Sequence, residues 1–218
     1  MKKTLIDISE KTGYSISTIS RVLNGKSEKY RISQLAKDAI LRVVKELDYQ
    51  PDMLAQSLRN KTTYTIGLLV PHIDNPFFAN IASIVVRECK RYNYTVILID
   101  TLEDSMQENK AIDSLLSRKI DGIIMVPSGD NSGKLLNVAV KTPVVLIDRY
   151  FTEHKLSYVS TNNYLGAYQA TKLLIDSGHT RILCIQGPAI SVTTKERVRG
   201  YCDALKEVGL EENAMVCG

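Results

Sequence analysis

Apolar positions follow two rhythms along the chain. Over the first 50 residues they recur at helical spacing. Thr4 stands three residues before Asp7, a capping-box spacing, and Leu5, Ile8 and Thr12 then share one face. Gly13 breaks that helix and Ser15 can cap a second, which carries Ile16, Ile19, Val22 and Leu23 until Asn24-Gly25. A polar loop from Lys26 to Arg31 precedes a longer amphipathic helix, from about Ser33 to Leu47, with Leu35, Ile40, Val43, Val44 and Leu47 as its apolar positions. Pro51 is expected to stop it. Residues 52–59 suit two turns of helix, too short to persist in water without a partner.

From Thr65 the rhythm changes to short apolar runs alternating with amphipathic stretches. Strands are predicted at 65–70, 94–100, 122–126, 143–147 and 181–186, with helices near 77–91, 106–119, 132–140, 163–177 and 194–208. The runs are almost continuously apolar, as in parallel strands covered on both faces. The fold class is therefore α/β: an all-α helix-turn-helix head followed by a doubly wound parallel body.

Charge sharpens this division. The 218-residue chain carries a net +4. Residues 1–62 hold 12 Lys and Arg against 7 Asp and Glu, and the rest hold 16 against 17. The positive excess thus sits wholly in the helical head, which suits a polyanionic partner. No run of about 18 apolar residues occurs, so no membrane span is expected. Asp7 and Glu10 interrupt the stretch a signal peptide would need, so a cytoplasmic location is expected. Cys89, Cys184, Cys202 and Cys217 lie far apart with no C-x-x-C pair, consistent with reduced and mostly buried thiols.

Gly13-Tyr14-Ser15 joins the two opening helices as in a helix-turn-helix, whose second helix lies in the DNA major groove. Its outward positions are Ile16, Ser17, Ser20 and Arg21. Arg21 can donate two bonds to guanine, Ser17 and Ser20 can bond a base or phosphate, and Ile16 can meet a thymine methyl. Thr18 and Asn24 face more naturally toward phosphates. The same spacing also suits a plain helical corner with a solvated polar face.

The stretch Ile8 to Gly25 closely resembles the DNA-binding segment of the lactose/galactose repressor (LacI/GalR) family, with Tyr14-Ser15 and then Thr18 to Asn24 matching its core motif. Ser9 and Tyr14 depart from the usual Ala and Val, both at packing positions. The loop from Gly25 to Arg31 is a few residues longer than in the best-known members. The resemblance implies DNA contacts at Ser15, Ile16, Ser17, Thr18, Ser20, Arg21 and Asn24. It also implies a hinge helix after Pro51, with Leu58 wedged into the minor groove and Arg59 placed for a phosphate or minor-groove contact. Packing of Leu58 on the core is the alternative.

In the body, Ile66 to Pro71 followed by Asn75-Pro76-Phe77-Phe78 is similar to the first strand and loop of periplasmic-type sugar-binding proteins. The resemblance implies that Asn75, Phe77 and Phe78 meet a sugar, with aromatic faces on its C–H patches. It places a sugar-bonding pair at Asp148-Arg149 and an effector contact at Arg197, the first arginine of Arg197-Val198-Arg199-Gly200-Tyr201. Core packing for the phenylalanines and a structural ion pair for Asp148-Arg149 are the alternatives. Asn162-Asn163 departs from the family's Asp-Asn and is left out of the site.

The implied domains are 1–50 (helix-turn-helix), 51–62 (hinge helix and linker), 63–161 (first effector subdomain) and 162–218 (an incomplete second subdomain). The chain ends where another strand-like run begins at Asn213, so a fragment with exposed apolar surface is expected. Gly129 to Leu135 imitates a phosphate loop but has the wrong glycine spacing and no Ser/Thr after Lys134. With His72, His154 and His179 scattered, no catalytic or metal-binding constellation is visible, and no cofactor is expected. The resemblance implies a homodimeric repressor on a palindromic operator, controlled by a sugar-like effector, and some relatives answer to a co-regulator protein. A sugar-binding module without a DNA role is the alternative.

Overall fold

The computed structural model describes residues 3–49, 62–128, 132–188 and 191–218. The chain divides into two compact units, Met1–Arg59 and Asn60–Gly218.

The first unit contains α1 (Leu5–Thr12), α2 (Ile16–Leu23) and α3 (Gln34–Glu46). Local chemistry starts each helix. The Thr4 amide donates to the Asp7 carboxylate at 2.7 Å and the Asp7 amide donates back to the Thr4 hydroxyl at 3.4 Å, a closed capping box. The Thr4 amide and, at 3.0 Å, the Thr4 hydroxyl both donate to this carboxylate, which favours its ionised form and holds Asp7 below its ordinary pKa. Gly13 ends α1 in the left-handed region at φ 73°, where a glycine has no Cβ to clash. Ser15 and Ser33 cap α2 and α3 by accepting the Thr18 and Ala36 amides, each at 3.3 Å. Ile8, Ile19, Val22 and Ile40 are buried together, so all three helices contribute to one core.

Two expectations change here. Leu35 lies outside the apolar face of α3 and is 79% exposed. The helix also ends before Pro51 comes into play: Asp48 turns left-handed at φ 47°, and Tyr49 donates back to the Val44 carbonyl at 3.0 Å. Pro51 and the expected hinge helix, including Leu58 and Arg59, lie outside the described residues.

The second unit holds a five-stranded parallel sheet in the order β2-β1-β3-β4-β5. Its strands are β1 (Thr65–Val70), β2 (Thr95–Asp100), β3 (Gly122–Met125), β4 (Val144–Ile147) and β5 (Ser157–Val159). Helices α4 (Pro76–Arg91), α5 (Ser105–Ser117) and α6 (Ser132–Ala139) form the crossovers. Alternate residues of β1 point to opposite faces. Leu69 packs with Met125, Leu146, Ile112, Leu115 and Leu135 on one side. Leu68 and Val70 pack with Phe78 and Ala82 of α4 on the other. Both faces of β1 are covered, which accounts for its continuous apolar run.

Beyond this sheet, α7 (Asn163–Asp176) and α8 (Val192–Glu207) pack against each other beside a two-stranded parallel sheet of β6 (Leu183–Ile185) and β7 (Met215–Cys217). Tyr201 ties the two strands together. Its hydroxyl donates to the Ile182 carbonyl at 2.6 Å and accepts the Met215 amide at 2.9 Å. Leu173, Leu183 and Ile185 are exposed. The strand-like run predicted from Asn213 is β7, which begins two residues later, at Met215, after a short 3-10 turn over Glu211–Asn213. The cysteines are less buried than expected: Cys89, Cys184 and Cys202 are intermediate and Cys217 is exposed. Burial still pushes the Cys89 and Cys184 thiols up.

Candidate nucleic-acid interface and effector cleft

In the first unit, α2 buries Ile19 and Val22 and turns Ser15, Ile16, Ser17 and Arg21 outward. Ser15 is occupied with capping, its Oγ also lying 2.9 Å from Ser17 Oγ and from Thr18 Oγ1. Ile16 is 45% exposed, a large apolar side chain left in water at the start of the helix. Ser20 and Thr18 are partly buried at its margin. Asn24 closes the helix, with Nδ2 donating to the Ser20 carbonyl at 2.6 Å and to its hydroxyl at 3.3 Å. Arg21 projects from the last turn with its guanidinium over the Tyr30 ring, 4.1 Å from the centroid. This surface offers hydroxyls, an apolar contact and one forked donor, a set suited to base edges in a major groove.

In the second unit, ligand-type residues gather beyond the carboxyl ends of the strands, where open α/β sheets bind ligands. A cleft of about 310 Å³ opens there, bordered by Glu103, Ser128, Arg149, Tyr150, His154 and Lys195 among others. Of the six predicted effector contacts, only Arg149 lines this cleft. Its guanidinium binds the Glu103 carboxylate through both arms, Nη2 to Oε2 at 3.4 Å, and Nη1 also donates to the Pro127 carbonyl at 3.3 Å. The Arg149 side chain is 18% exposed and its partner 34%.

Asp148 immediately precedes Arg149 in the left-handed region at φ 64°. Its amide donates to Val159 at 2.9 Å, and its carbonyl accepts the Ser160 hydroxyl at 2.7 Å. Burial raises its carboxyl above the ordinary value, while the charges of Arg149 and Arg197 pull the other way. Arg197 donates from Nε to Asn163 Oδ1 at 2.8 Å.

The aromatic pair divides. Phe77 is 51% exposed, whereas Phe78 is 6% exposed and packs in the core with Leu68 and Val70. Phe78 holds Phe77 edge-on at 5.2 Å and lies 5.9 Å from the Arg149 guanidinium, so it supports the site from behind. Asn75 caps α4, its Oδ1 accepting the Phe77 amide at 3.0 Å.

Sequence reasoning missed Glu103 and set Asn163 aside. Glu103 follows β2 at the carboxyl edge of the sheet, and that position was the available signal. Asn163 is 8% exposed, donates to the Thr161 carbonyl at 3.1 Å and orients Arg197. Among the described residues, no group of three His, Cys, Asp or Glu could hold a metal ion, and no helix is long and apolar enough to cross a membrane. The phosphate-loop imitation at Gly129 lies partly outside the described residues.

Comparison with known proteins matches both parts. Residues 4–52 match the model described as bacterial regulatory proteins, lacI family. Residues 63–217 match that of periplasmic binding proteins and the sugar binding domain of the LacI family. The chain is 36% identical over 206 residues to a ribose operon repressor of Halalkalibacterium halodurans, covering 94% of this chain and 60% of that one. It is 33% identical to the ribose operon repressor of Haemophilus influenzae, covering 96% and 62%. The chain thus spans about three fifths of the length of these curated relatives. Among solved structures, the transcription regulator CcpA of Lactococcus lactis is 32% identical with a TM-score of 0.63, over 71% of this chain and 58% of that one. The lac repressor dimer bound to operator shares the fold at a TM-score of 0.83 and 20% identity, over 99% and 65%. With one family model matching residues 63–217, well over half its length, and a second matching residues 4–52, this chain belongs to the LacI family of bacterial regulatory proteins.

Proposed function

We propose that the protein is a sequence-specific DNA-binding transcriptional regulator, acting as a repressor, whose affinity for a palindromic operator is set by a sugar-like effector. The observation that carries this reading is the outward face of α2, with Ile16, Ser17 and Arg21 held open by a buried three-helix core. A homodimer would place two such helices in successive major grooves, one helical turn apart. The domain boundaries follow the same reading: 1–50 for base recognition, 51–62 for the hinge, and 63–161 and 162–218 for the two effector subdomains. Ser15, Thr18, Ser20, Asn24, Leu58 and Arg59 are assigned to DNA; Asn75, Phe77, Asp148, Arg149 and Arg197 are assigned to the effector, with the buried Phe78 backing them.

The cleft favours a polyol effector, because the Glu103 carboxylate and the Arg149 guanidinium on its border suit hydroxyls that both accept and donate. The protein is assigned to the cytoplasm, where its operator is, and not to catalysis, since its curated relatives are named as repressors and regulators. Such a regulator needs no resident cofactor. A co-regulator protein is a further proposed partner.

Fluorescence anisotropy with labelled duplexes tests the reading. A duplex enriched from a randomised pool by the full chain should bind at least a thousandfold tighter than random DNA. Arg21→Ala should cost about 1–3 kcal/mol and relax one base position. Equal affinity for both duplexes, with sugar binding intact, would instead favour a sugar-binding module.

A further inference from the structure

The turn after α2 does more than connect two helices. Its backbone is closed by hydrogen bonds at both ends: Lys26 donates to the Arg21 carbonyl at 2.9 Å, Tyr30 to Lys26 at 3.2 Å, and Ile32 to Ser27 at 2.9 Å. Ser27 is only 7% exposed, and Ile32 packs on the three-helix core. A turn pinned in this way gives Tyr30 a defined place on the surface, where it is 43% exposed. The Arg21 guanidinium lies over its ring, 4.1 Å from the centroid.

We propose that Tyr30 is a positioning residue for DNA readout, holding the guanidinium of Arg21 in one plane so that its edge is presented to a single base pair. The inference rests on the DNA-binding reading above. Stacking occupies the face of a guanidinium, whereas its N–H donors all lie in the plane. The ring therefore restrains Arg21 without using the donors that pair with the O6 and N7 of guanine. An arginine free in water must lose rotamer freedom on binding, and one already stacked loses less.

The test compares wild type with Tyr30→Ala, Tyr30→Leu and Tyr30→Phe, each alone and with Arg21→Ala. The probe is the duplex enriched from a randomised pool, together with its single-base variants. Tyr30→Ala and Tyr30→Leu should weaken binding about two- to fivefold, the range of an exposed cation–π contact. The loss should fall on the base pair whose preference disappears in Arg21→Ala. Tyr30→Phe should keep wild-type affinity and preference, and Tyr30→Ala should add nothing once Arg21 is gone. Additive effects, or a Tyr30→Ala variant with the wild-type base preference, would overturn the proposal while leaving the DNA-binding reading intact. A wild-type chain that enriches no duplex would sink both.

Discussion

Gly200 of α8 packs directly against the backbone of α7 at Tyr164. A Cβ built on it would lie 2.2 Å from the Tyr164 carbonyl oxygen and 2.9 Å from the Tyr168 amide nitrogen. This explains the glycine before Tyr201: it lets two helices approach closely, and the next residue then ties β6 to β7.

Gly200→Ala must therefore move one helix. The expected loss is about 1–3 kcal/mol or more, because rigid backbone has to yield. Gly166 of α7 is the contrast, since nothing lies within 4 Å of its added Cβ. Gly166→Ala should stabilise by about 0.4–1 kcal/mol through the unfolded state. Urea unfolding of both variants checks the pair, and equal effects would refute the close-packing account.

Two serines of the DNA-binding unit should respond oppositely. Ser15→Ala removes the cap of α2 and should cost about 0.5–2 kcal/mol. The Ser27 hydroxyl is buried and finds no hydrogen-bond partner among the described residues. Ser27→Ala removes that unmet polar group and should be neutral or stabilising. Thermal melts of the two variants distinguish these outcomes.

Asp121 accepts the Thr63 amide at 2.8 Å, the Thr63 hydroxyl at 3.0 Å and the Tyr64 amide at 2.8 Å, so it clasps the chain just before β1. Asp121→Ala leaves all three donors without their acceptor. The expected loss is about 1–3 kcal/mol, and faster exchange of the Thr63 and Tyr64 amides should report it locally.

Burial holds the Asp148 proton to a higher pH in the native state than in the unfolded chain, whose value is near 3.8. The group's contribution to stability is thus fully present below that value and is lost as pH rises through the native one. Asp148→Asn mimics the neutral form and tolerates the left-handed backbone. Its Tm should exceed that of wild type at about pH 7, with the gap closing as pH falls toward about 4. A gap that does not change with pH would rule out titration of Asp148 as the cause.

What the sequence determined by itself was local, or repeated often enough to need no partner. The caps at Thr4, Ser15 and Ser33 act within three residues, so α1, α2 and α3 begin where those side chains announce them. Strands β1 to β4 were legible because each is a short, nearly unbroken apolar run bounded by polar or turn residues. Tertiary structure decided the rest. Ser157–Val159 is exposed and too short to show a period, and it is a strand only because β4 offers it a ladder. Phe77 and Phe78 are identical in type, yet only the sheet determines which is buried. Glu103 meets Arg149 across 46 residues of sequence, a separation at which no local pattern survives. Side chains brought together only by folding leave no periodic signature, because their proximity is set by the crossovers between strands and not by the residues beside them.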